Sequence, residues 1–254
     1  MGMADRHRRD WEELAATDPL WAVLSDPAHR GGGWEGETDA FYGSGGRELA
    51  GLERLLREED VPLTRRRALD FGCGVGRITQ AMAAGFDTVV GMDHSPAMVD
   101  RARDATPDDG QVEYLVGDSP SLAPGRFDLV WSCLVIQHQP SPAAARRLIG
   151  ELADTVAEGG VLHVQLPVVL GWRRRLQLRR RAYRVGRSLG LPSDTLYRRF
   201  GLNPIRMVAV PEPVVRRILA DHGLEVVSIH RDHVGPGQID ARVTARRPGG
   251  DSAG

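Results

Sequence analysis

The stretch LDFGCGVGRIT, residues 69–79, decides how this 254-residue chain is expected to fold. Its apolar start predicts the end of a buried β-strand, and its last residues begin a helical pattern. Gly72, Gly74 and Gly76 between them allow the backbone to turn tightly and to pass close to a ligand. The start of the following helix would offer free N–H groups and the positive end of its dipole to an anionic group. The stretch therefore predicts a strand–loop–helix unit that cradles a nucleotide-like ligand.

The spacing of these glycines separates two classes of nucleotide site. A dinucleotide fingerprint, G-x-G-x-x-G, counted from Gly72 would need a glycine at position 77, which is Arg77. The chain instead has D-x-G-x-G-x-G spacing, which begins at Asp70. We therefore expect a site other than a dinucleotide site.

Short apolar runs alternate with helical patterns along the residues that follow. Helices are predicted near 77–84, 96–104 and 142–157, and the last two begin at a Ser-Pro pair typical of helix starts. The predicted strands are RALDF (67–71), TVVGMD (88–93), VEYLV (112–116), FDLVWS (127–132) and GVLHVQL (160–166). Strands that alternate with helices are joined by right-handed crossovers, so we predict a parallel, doubly wound α/β sheet.

The last part of the chain breaks this alternation. A helix is predicted after Pro211, and it is followed by the strands LEVVSIHR (224–231) and IDARVTAR (239–246). The seven residues between the two strands are too few for a crossover helix, so the strands must pair as an antiparallel hairpin. The predicted fold is a Rossmann-like, mostly parallel seven-stranded sheet with an antiparallel last strand.

We divide the chain into a cap, one domain and a tail. Residues 1–45 are irregular and carry many aromatic residues, so we expect them to pack as an N-terminal cap. The domain spans 46–247 and begins with the helical stripe of RELAGLERLLREE. Within it, the insertion 168–206 is expected to form a helical lid over the site. The polar tail 248–254 is expected to be disordered.

The insertion is rich in arginine. It holds 11 of the 33 arginines, and Leu178, Ala182, Val185 and Leu189 within it have the spacing of one helix face. Four interpretations stay open: a solvated charged face, a site for an anionic substrate, contact of residues 172–189 with a membrane surface, and RNA binding.

The composition narrows the class of protein. The net charge of −1 argues against a dedicated nucleic-acid binder, and because all 33 basic residues are arginine, no lysine Schiff base is available. Cys73 and Cys133 are too few for a disulfide scaffold and fit a reducing compartment, where we expect them to be small core fillers. No stretch reaches about 18 apolar residues and the N-terminus has no secretory signal, so we expect a cytoplasmic protein without a membrane span.

Two acidic residues lie at the carboxyl ends of the next two predicted strands. Asp93 ends the second strand, and Asp118 comes just after the third. Because neighbouring parallel strands end at the same edge of a sheet, both carboxylates are expected to line the crevice beside the glycine loop. Asp93 would accept hydrogen bonds from a ribose diol, and Asp118 from the amino group of adenine. A helix cap is the alternative for Asp93, since Ser95-Pro96 follows it.

With these residues the chain resembles the class I S-adenosylmethionine (SAM)-dependent methyltransferases, over about residues 45–166 and 207–247. The resemblance implies that SAM is the cofactor and S-adenosylhomocysteine the product. It implies that Arg77 meets the cofactor carboxylate, that Met98 packs the adenosine and that the backbone near Cys133 faces the methionine part. Carried over by position, the implied cofactor residues are Asp70, Gly72, Gly74, Gly76, Arg77, Asp93, Met98, Asp118, Ser119 and Cys133.

The resemblance also implies a reaction. We expect transfer of a methyl group to a small molecule, with a hydroxyl oxygen of a sugar or natural product as the acceptor. If the arginines of the insertion bind the substrate, this acceptor is anionic. N- or C-methylation, and a SAM-binding protein that transfers no methyl group, are the alternatives. We expect no nucleic-acid partner.

A hydroxyl acceptor gains from a general base, typically by ~10²–10⁴-fold. His138 lies just after the fourth strand on the crevice side and is the first candidate base, with packing of the strand–helix turn as the alternative. His233, in the turn between the last two strands, is the second candidate, and Gln137 would orient the acceptor. His230 and His233 lack a third ligand, so we expect no metal site.

Overall fold

A computed structural model shows a seven-stranded sheet with helices on both faces. The structure describes residues 20, 23, 24, 33, 34, 36–108, 110–202, 204, 206–235 and 237–249. The helices are α1 (Thr38–Glu58), α2 (Arg77–Ala83), α3 (Pro96–Ala105), α4 (Pro142–Asp154), α5 (Trp172–Arg175), α6 (Leu178–Ser188), α7 (Ser193–Phe200) and α8 (Glu212–Asp221). The strands are β1 (Arg67–Phe71), β2 (Thr88–Asp93), β3 (Val112–Val116), β4 (Phe127–Ser132), β5 (Val156–Val169), β6 (Glu225–Gly235) and β7 (Gln238–Arg246).

The order of the strands is β3-β2-β1-β4-β5-β7-β6. Strands β1 to β5 run parallel, while β7 lies antiparallel between β5 and β6. The predicted Rossmann-like sheet and its terminal hairpin are confirmed. The strand order reverses between β1 and β4, so the carboxyl ends of these two strands border a crevice where such folds bind ligands.

The first four strands have the predicted bounds, whereas β5 is longer than predicted. The helical pattern was expected to continue to residue 157, but α4 ends at Asp154 and β5 begins at Val156. Val156 is fully buried and pairs with Phe127 at the start of β4. A short apolar stretch fits a buried helix and a buried strand equally well, and here pairing with β4 decides between them.

Helix α1 begins at Thr38, so the prediction of an irregular cap is wrong for residues 38–45. The glycines at 43, 45 and 46 lower the helix propensity and hide the pattern. A Cβ on Gly45 would lie 2.3 Å from the main-chain oxygen of Arg77, so this glycine allows α1 to approach α2 closely. The buried face of α1 consists of Phe41, Gly45, Leu49, Leu52 and Leu56.

Other parts of the expected cap and tail are not described. Most of residues 1–35, including Trp11 and Trp21, and residues 250–254 lie outside the described residues. The expected packing of the cap and the expected disorder of the tail therefore stay predictions.

Apolar side chains from the helices bury both faces of the sheet. On one face, Leu152 of α4 and Leu219 of α8 belong to the larger core cluster. On the other face, Leu56 of α1 and Met82 of α2 pack on β1, β2 and β4. Burial of each such side chain contributes about 1.5–3 kcal/mol to stability. These two layers fix the strand ends from which the site is built.

The described residues of the insertion form three short helices, α5 to α7. The predicted amphipathic helix is present as α6, but its apolar stripe is exposed to solvent: Leu178 is 46% and Val185 58% exposed. Helix α6 packs through Tyr183 and Gly186 instead. A Cβ on Gly186 would lie 2.6 Å from Cδ2 of Leu196, so this glycine allows α6 to approach α7. Among the described helices of the whole chain, none is long and apolar enough to cross a membrane.

Candidate active site

The loop after β1 is shaped by glycines in the left-handed region of backbone conformation. Gly72, Gly74 and Gly76 have φ values of 81°, 54° and 84°. The N–H of Gly72 donates to the oxygen of Met92 over 2.7 Å, which ties the loop to β2. A Cβ on Gly76 would lie 2.4 Å from the hydroxyl oxygen of Tyr114. Gly76 is therefore required by packing as well as by its conformation.

A cavity of about 250 Å³ opens beside this loop, at the carboxyl ends of β1 to β4. The predicted site residues that line it are Asp70, Gly72, Gly74, Arg77, Asp93, Met98, Asp118, Cys133 and His138. Gly76, Ser119 and His233 were predicted for the site as well, but they are not among the described lining residues. The structure thus brings together residues from four separate strand ends, as expected for a crevice in a doubly wound sheet.

Asp93 fixes the loop from the neighbouring strand. Its Oδ2 accepts a hydrogen bond from the N–H of Gly74 over 3.0 Å, and its Oδ1 accepts one from the N–H of Ser95 over 2.9 Å. Oδ1 also lies 3.3 Å from Nδ1 of His94, whereas Oδ2 has a second lone pair with which to accept from a ligand hydroxyl. Ser95 caps α3 by accepting from the N–H of Met98, so the cap predicted after Asp93 and a ligand-binding role for Asp93 are compatible.

Comparison with known proteins identifies the domain that forms most of this cavity. Residues 69–164 match a family model described as a methyltransferase domain. This segment is a methyltransferase domain. Trans-aconitate 2-methyltransferase of Methylobacterium radiotolerans is 39% identical over 111 residues, which cover 42% of this chain and 40% of that protein. The chain spans less than half the length of the first curated relatives that it matches.

Solved structures share the fold of the methyltransferase domain at low sequence identity. The N-methyltransferase NodS from Bradyrhizobium japonicum, in complex with S-adenosylhomocysteine, has a TM-score of 0.59 at 18% identity over 95% of this chain and 98% of that chain. The [4+2]-cyclase SpnF has a TM-score of 0.53 at 19% identity over 78% of this chain and 80% of that chain. One fold thus occurs in proteins whose names give different reactions, so the site must supply the functional argument.

SAM is the cofactor of this domain, and the chemistry of the lining residues fits it. The carboxylates of Asp93 and Asp118 line the cavity, and their contacts with the ribose hydroxyls and the adenine amino group stay predictions. Met98 is 4% exposed and lines the same cavity with an apolar side chain, as its predicted packing on the adenosine requires. When SAM is bound, it supplies a methyl group on a sulfonium that a nucleophile can displace.

Asp70 lies at the floor of the cavity, nearly buried at the end of β1. Its Oδ2 accepts a hydrogen bond from the hydroxyl of Thr79 over 2.6 Å. Burial raises the pKa of this carboxyl to about 6, although the Thr79 hydrogen bond and the charge of Arg77 both act in the opposite direction. The charge of Asp70 is therefore costly in the folded state, and a cationic ligand group nearby would reduce that cost.

Arg77 is 4% exposed and is held by helix α1. Its Nη1 donates to the hydroxyl oxygen of Ser44 and to Oε1 of Glu48, each over 3.0 Å. Its Nε is buried and has no hydrogen-bond partner among the described residues. Since Nη1 is engaged by α1, contact between Arg77 and the cofactor carboxylate stays a prediction that would use the remaining donors of the guanidinium.

Ser119 lies beside the cavity residue Asp118 but has other contacts. The hydroxyl of Ser119 interacts with Ser121 and Glu151, and Ser119 is not among the described residues that line the cavity.

The two cysteines are neutral in the folded protein. Burial raises the pKa of both the Cys73 and the Cys133 thiol, which keeps them protonated and unreactive. Cys133 is thus placed at the cavity as a neutral side chain.

His138 lines the cavity as a neutral imidazole with both ring nitrogens engaged. The carbonyl oxygen of Arg206 can only accept, so the contact of 3.0 Å places a proton on Nδ1 of His138. Nε2 then accepts from the side-chain amide of Gln137 over 3.0 Å. Burial lowers the pKa of His138 to about 4. The lone pair expected to take a proton from the acceptor is occupied by Gln137.

His233 lies on the exposed edge strand β6 and is not among the described residues that line the cavity. In the strand order, β7 and β5 separate β6 from β4, which carries the cavity wall. The proposed catalytic role of His233 therefore finds no support in its position. Within the described part of the chain, no group of three or more His, Cys, Asp or Glu side chains could hold a metal ion.

A row of polar residues on β7 was missed in the sequence. The side-chain amide of Gln238 donates to Oδ1 of Asp240 over 2.7 Å, while Oε1 of Gln238 is buried without a hydrogen-bond partner in the described part of the chain. Burial raises the pKa of Asp240, and Gln165 on β5 donates to it. The signal was present as polar residues at alternate positions of β7, opposite an apolar face that packs in the core.

Proposed function

We propose that the chain transfers the methyl group of SAM to an oxygen atom of a small molecule, and that this oxygen is ionised when it reaches the site. The observation that carries the proposal is the state of His138. Its imidazole is neutral, its pKa is near 4 and its Nε2 accepts from Gln137. A neutral aliphatic hydroxyl needs a base near the working pH, and His138 is a weak base there.

An acceptor that is already an oxyanion removes the need for that base. The oxygen lone pair forms the new bond to carbon as the bond between carbon and sulfur breaks, and the electron pair of that bond stays on sulfur. No proton has to leave the acceptor in this step. A carboxylate or an acidic hydroxyl such as a phenol meets this requirement, whereas the sugar hydroxyl expected from the sequence does not.

The printed name of one relative gives oxygen as the acceptor atom. One relative is named for trans-aconitate, a carboxylate, and another is a magnesium-protoporphyrin O-methyltransferase that is 39% identical over 87 residues. At the cavity, Cys133 contributes a neutral thiol, which places no negative charge against an anionic acceptor there. Anionic acceptors also agree with the arginine-rich insertion next to the sheet edge.

A panel of methyl acceptors tests the proposal. The purified chain is incubated with SAM and with carboxylic acids, phenols, aliphatic alcohols and amines of similar size, and methylated products are detected by mass spectrometry. We expect products from the first two classes. Turnover confined to aliphatic alcohols or amines would overturn the proposal of an ionised oxygen, and SAM binding without any product would favour a non-transferring protein.

A further inference from the structure

Helix α6 carries an apolar stripe that the described part of the protein leaves exposed. Leu178 is 46%, Val185 58% and Leu189 75% exposed, and Ala182 between them is exposed too. These positions follow one another at spacings of four, three and four residues and therefore lie on one side of the helix. The side that packs on the protein is a different one, which contains Tyr183 and Gly186. Exposed large apolar residues in such a contiguous stripe usually mark an interaction surface.

The charge around this stripe has a single sign. Residues 168–206 contain 11 arginines, and Asp194 is the only acidic residue among them, in a chain whose net charge is −1. Arg181 and Arg184 are exposed on α6, and Leu178 and Val185 are exposed beside them. Trp172 in the preceding helix is 63% exposed. The surface thus combines apolar side chains with clustered guanidinium groups.

We propose that this stripe and its arginines bind an anionic membrane surface, with α6 lying in the plane of the interface. A helix with an apolar face, an arginine-rich face and low overall hydrophobicity lies in the interface with its apolar side in the acyl boundary. Anionic lipid headgroups attract the arginines, and the acyl chains bury the leucine and valine side chains. In this arrangement α6 lies on the membrane surface and does not span the bilayer. This agrees with the described helices, none of which is long and apolar enough to span a bilayer.

Two other occupants fit the surface less well. Nucleic acid would use the arginines but would leave Leu178, Val185 and Leu189 in water. A second copy of the chain would bury the apolar stripe but would bring two strongly cationic segments together, and like charges repel at contact. Membrane binding through α6 does not depend on the proposed methyl transfer.

Vesicle flotation of the full chain tests the proposal. We expect the chain to float with vesicles of phosphatidylglycerol and phosphatidylcholine and to stay in solution with vesicles of phosphatidylcholine alone. The double variant Leu178→Ser/Leu189→Ser should bind the anionic vesicles about tenfold more weakly, because each substitution removes apolar area from the interface. The matched control is Val116→Ser/Leu122→Ser, since Val116 is 48% and Leu122 59% exposed elsewhere on the surface, and it should float like the wild type.

A second pair of variants tests the charge. Arg181→Gln/Arg184→Gln should lower binding at low salt, while Arg54→Gln/Arg57→Gln on α1 should not. A thermal melt of each variant confirms that it is folded, because all the substituted side chains are exposed. The proposal is overturned if the wild type floats with neither vesicle, if the serine variant and its control float equally, or if sedimentation shows a dimer that the Leu178→Ser/Leu189→Ser change dissociates. Binding of an RNA oligonucleotide that the serine variant retains in full, without flotation, would overturn it as well.

Discussion

Asp93 at the end of β2 accepts a hydrogen bond from the N–H of Gly74 over 3.0 Å. A carboxylate on β2 thus holds the glycine loop that follows the neighbouring strand β1. Its other oxygen accepts from Ser95 over 2.9 Å. The carboxylate is therefore fixed before any ligand arrives. A ligand that donates to it finds the acceptor already in place, which reduces the entropy lost on binding.

Replacement of Asp93 tests its place in the SAM site. Asp93→Ala should weaken SAM binding by about tenfold to a hundredfold, as expected for the loss of hydrogen bonds to a charged group. Isothermal titration calorimetry measures the affinity. Asp100→Ala is the matched control, because the Asp100 side chain is 68% exposed on α3. An Asp93→Ala protein that is folded and binds SAM like the wild type would place the cofactor elsewhere.

Gly76 should tolerate no side chain. Gly76→Ala introduces a Cβ 2.4 Å from the hydroxyl of Tyr114, at a φ of +84° that disfavours alanine. Strain of this kind costs about 1–3 kcal/mol, before the displacement of Tyr114 is added. Chemical denaturation measures the free energy of unfolding. Gly51→Ala provides the contrast, since a Cβ on Gly51 within α1 would have nothing within 4 Å of it, and this change should stabilise the protein by about 0.5–1 kcal/mol.

The raised pKa of Asp70 affects how stability depends on pH. Its pKa is about 6 in the folded protein against an ordinary value of 3.8. Below pH 3.8 the carboxyl is protonated in both the folded and the unfolded chain, and it has no effect on the pH dependence of stability. As the pH rises from there to about 6, the unfolded chain loses its proton first, so the folded state becomes less stable relative to it.

Asp70→Asn should remove this part of the pH dependence. The free energy of unfolding of the variant, minus that of the wild type, should rise by roughly 3 kcal/mol between acidic and neutral pH. Urea denaturation at several pH values measures the difference, which cancels the titration of the other carboxyl groups. A difference that stays constant with pH would mean that the Asp70 carboxyl titrates normally.

The titration of His138 should not affect the pH dependence of kcat/KM near neutral pH. Because burial lowers its pKa to about 4, the ring is neutral throughout the range in which an ordinary histidine would titrate. His138→Asn, which keeps a donor for the Arg206 carbonyl, should retain activity within about tenfold and give a profile of kcat/KM of the same shape. Loss of an acidic limb near pH 6.5 in the variant, with the wild type showing that limb, would restore His138 as the base.

The sequence could predict the sheet because its strands are short apolar runs bounded by turn signals. β1 to β4 depend on local patterns alone, and the hairpin of β6 and β7 follows from a connection too short for a helix. The position of Asp93 and Asp118 at the cavity followed from topology, because parallel strands end at one edge. The local sequence was sufficient wherever the position of a strand or a turn depended only on its own residues.

Tertiary contacts decided the features that were missed. Helix α1 contains three glycines near its start. A glycine is needed at position 45 because α1 approaches Arg77 closely at that point, which is a tertiary contact. The engagement of His138 by Gln137 and Arg206 joins residues 68 positions apart, which no spacing rule anticipates. The stripe of α6 was visible as a pattern, but a pattern does not tell a buried apolar face from an exposed one.

The position of β7 between β5 and β6 has a consequence for how the chain folds during its synthesis. His163 and Thr244 contact each other across β5 and β7, although they are 81 residues apart. Until the ribosome has released residues 238–246, residues 161–169 of β5 present an open strand edge with unsatisfied hydrogen-bonding groups. A nascent chain stopped before that point would expose this edge to other nascent chains, so we expect translational pausing or truncation there to produce aggregates rather than a smaller folded domain.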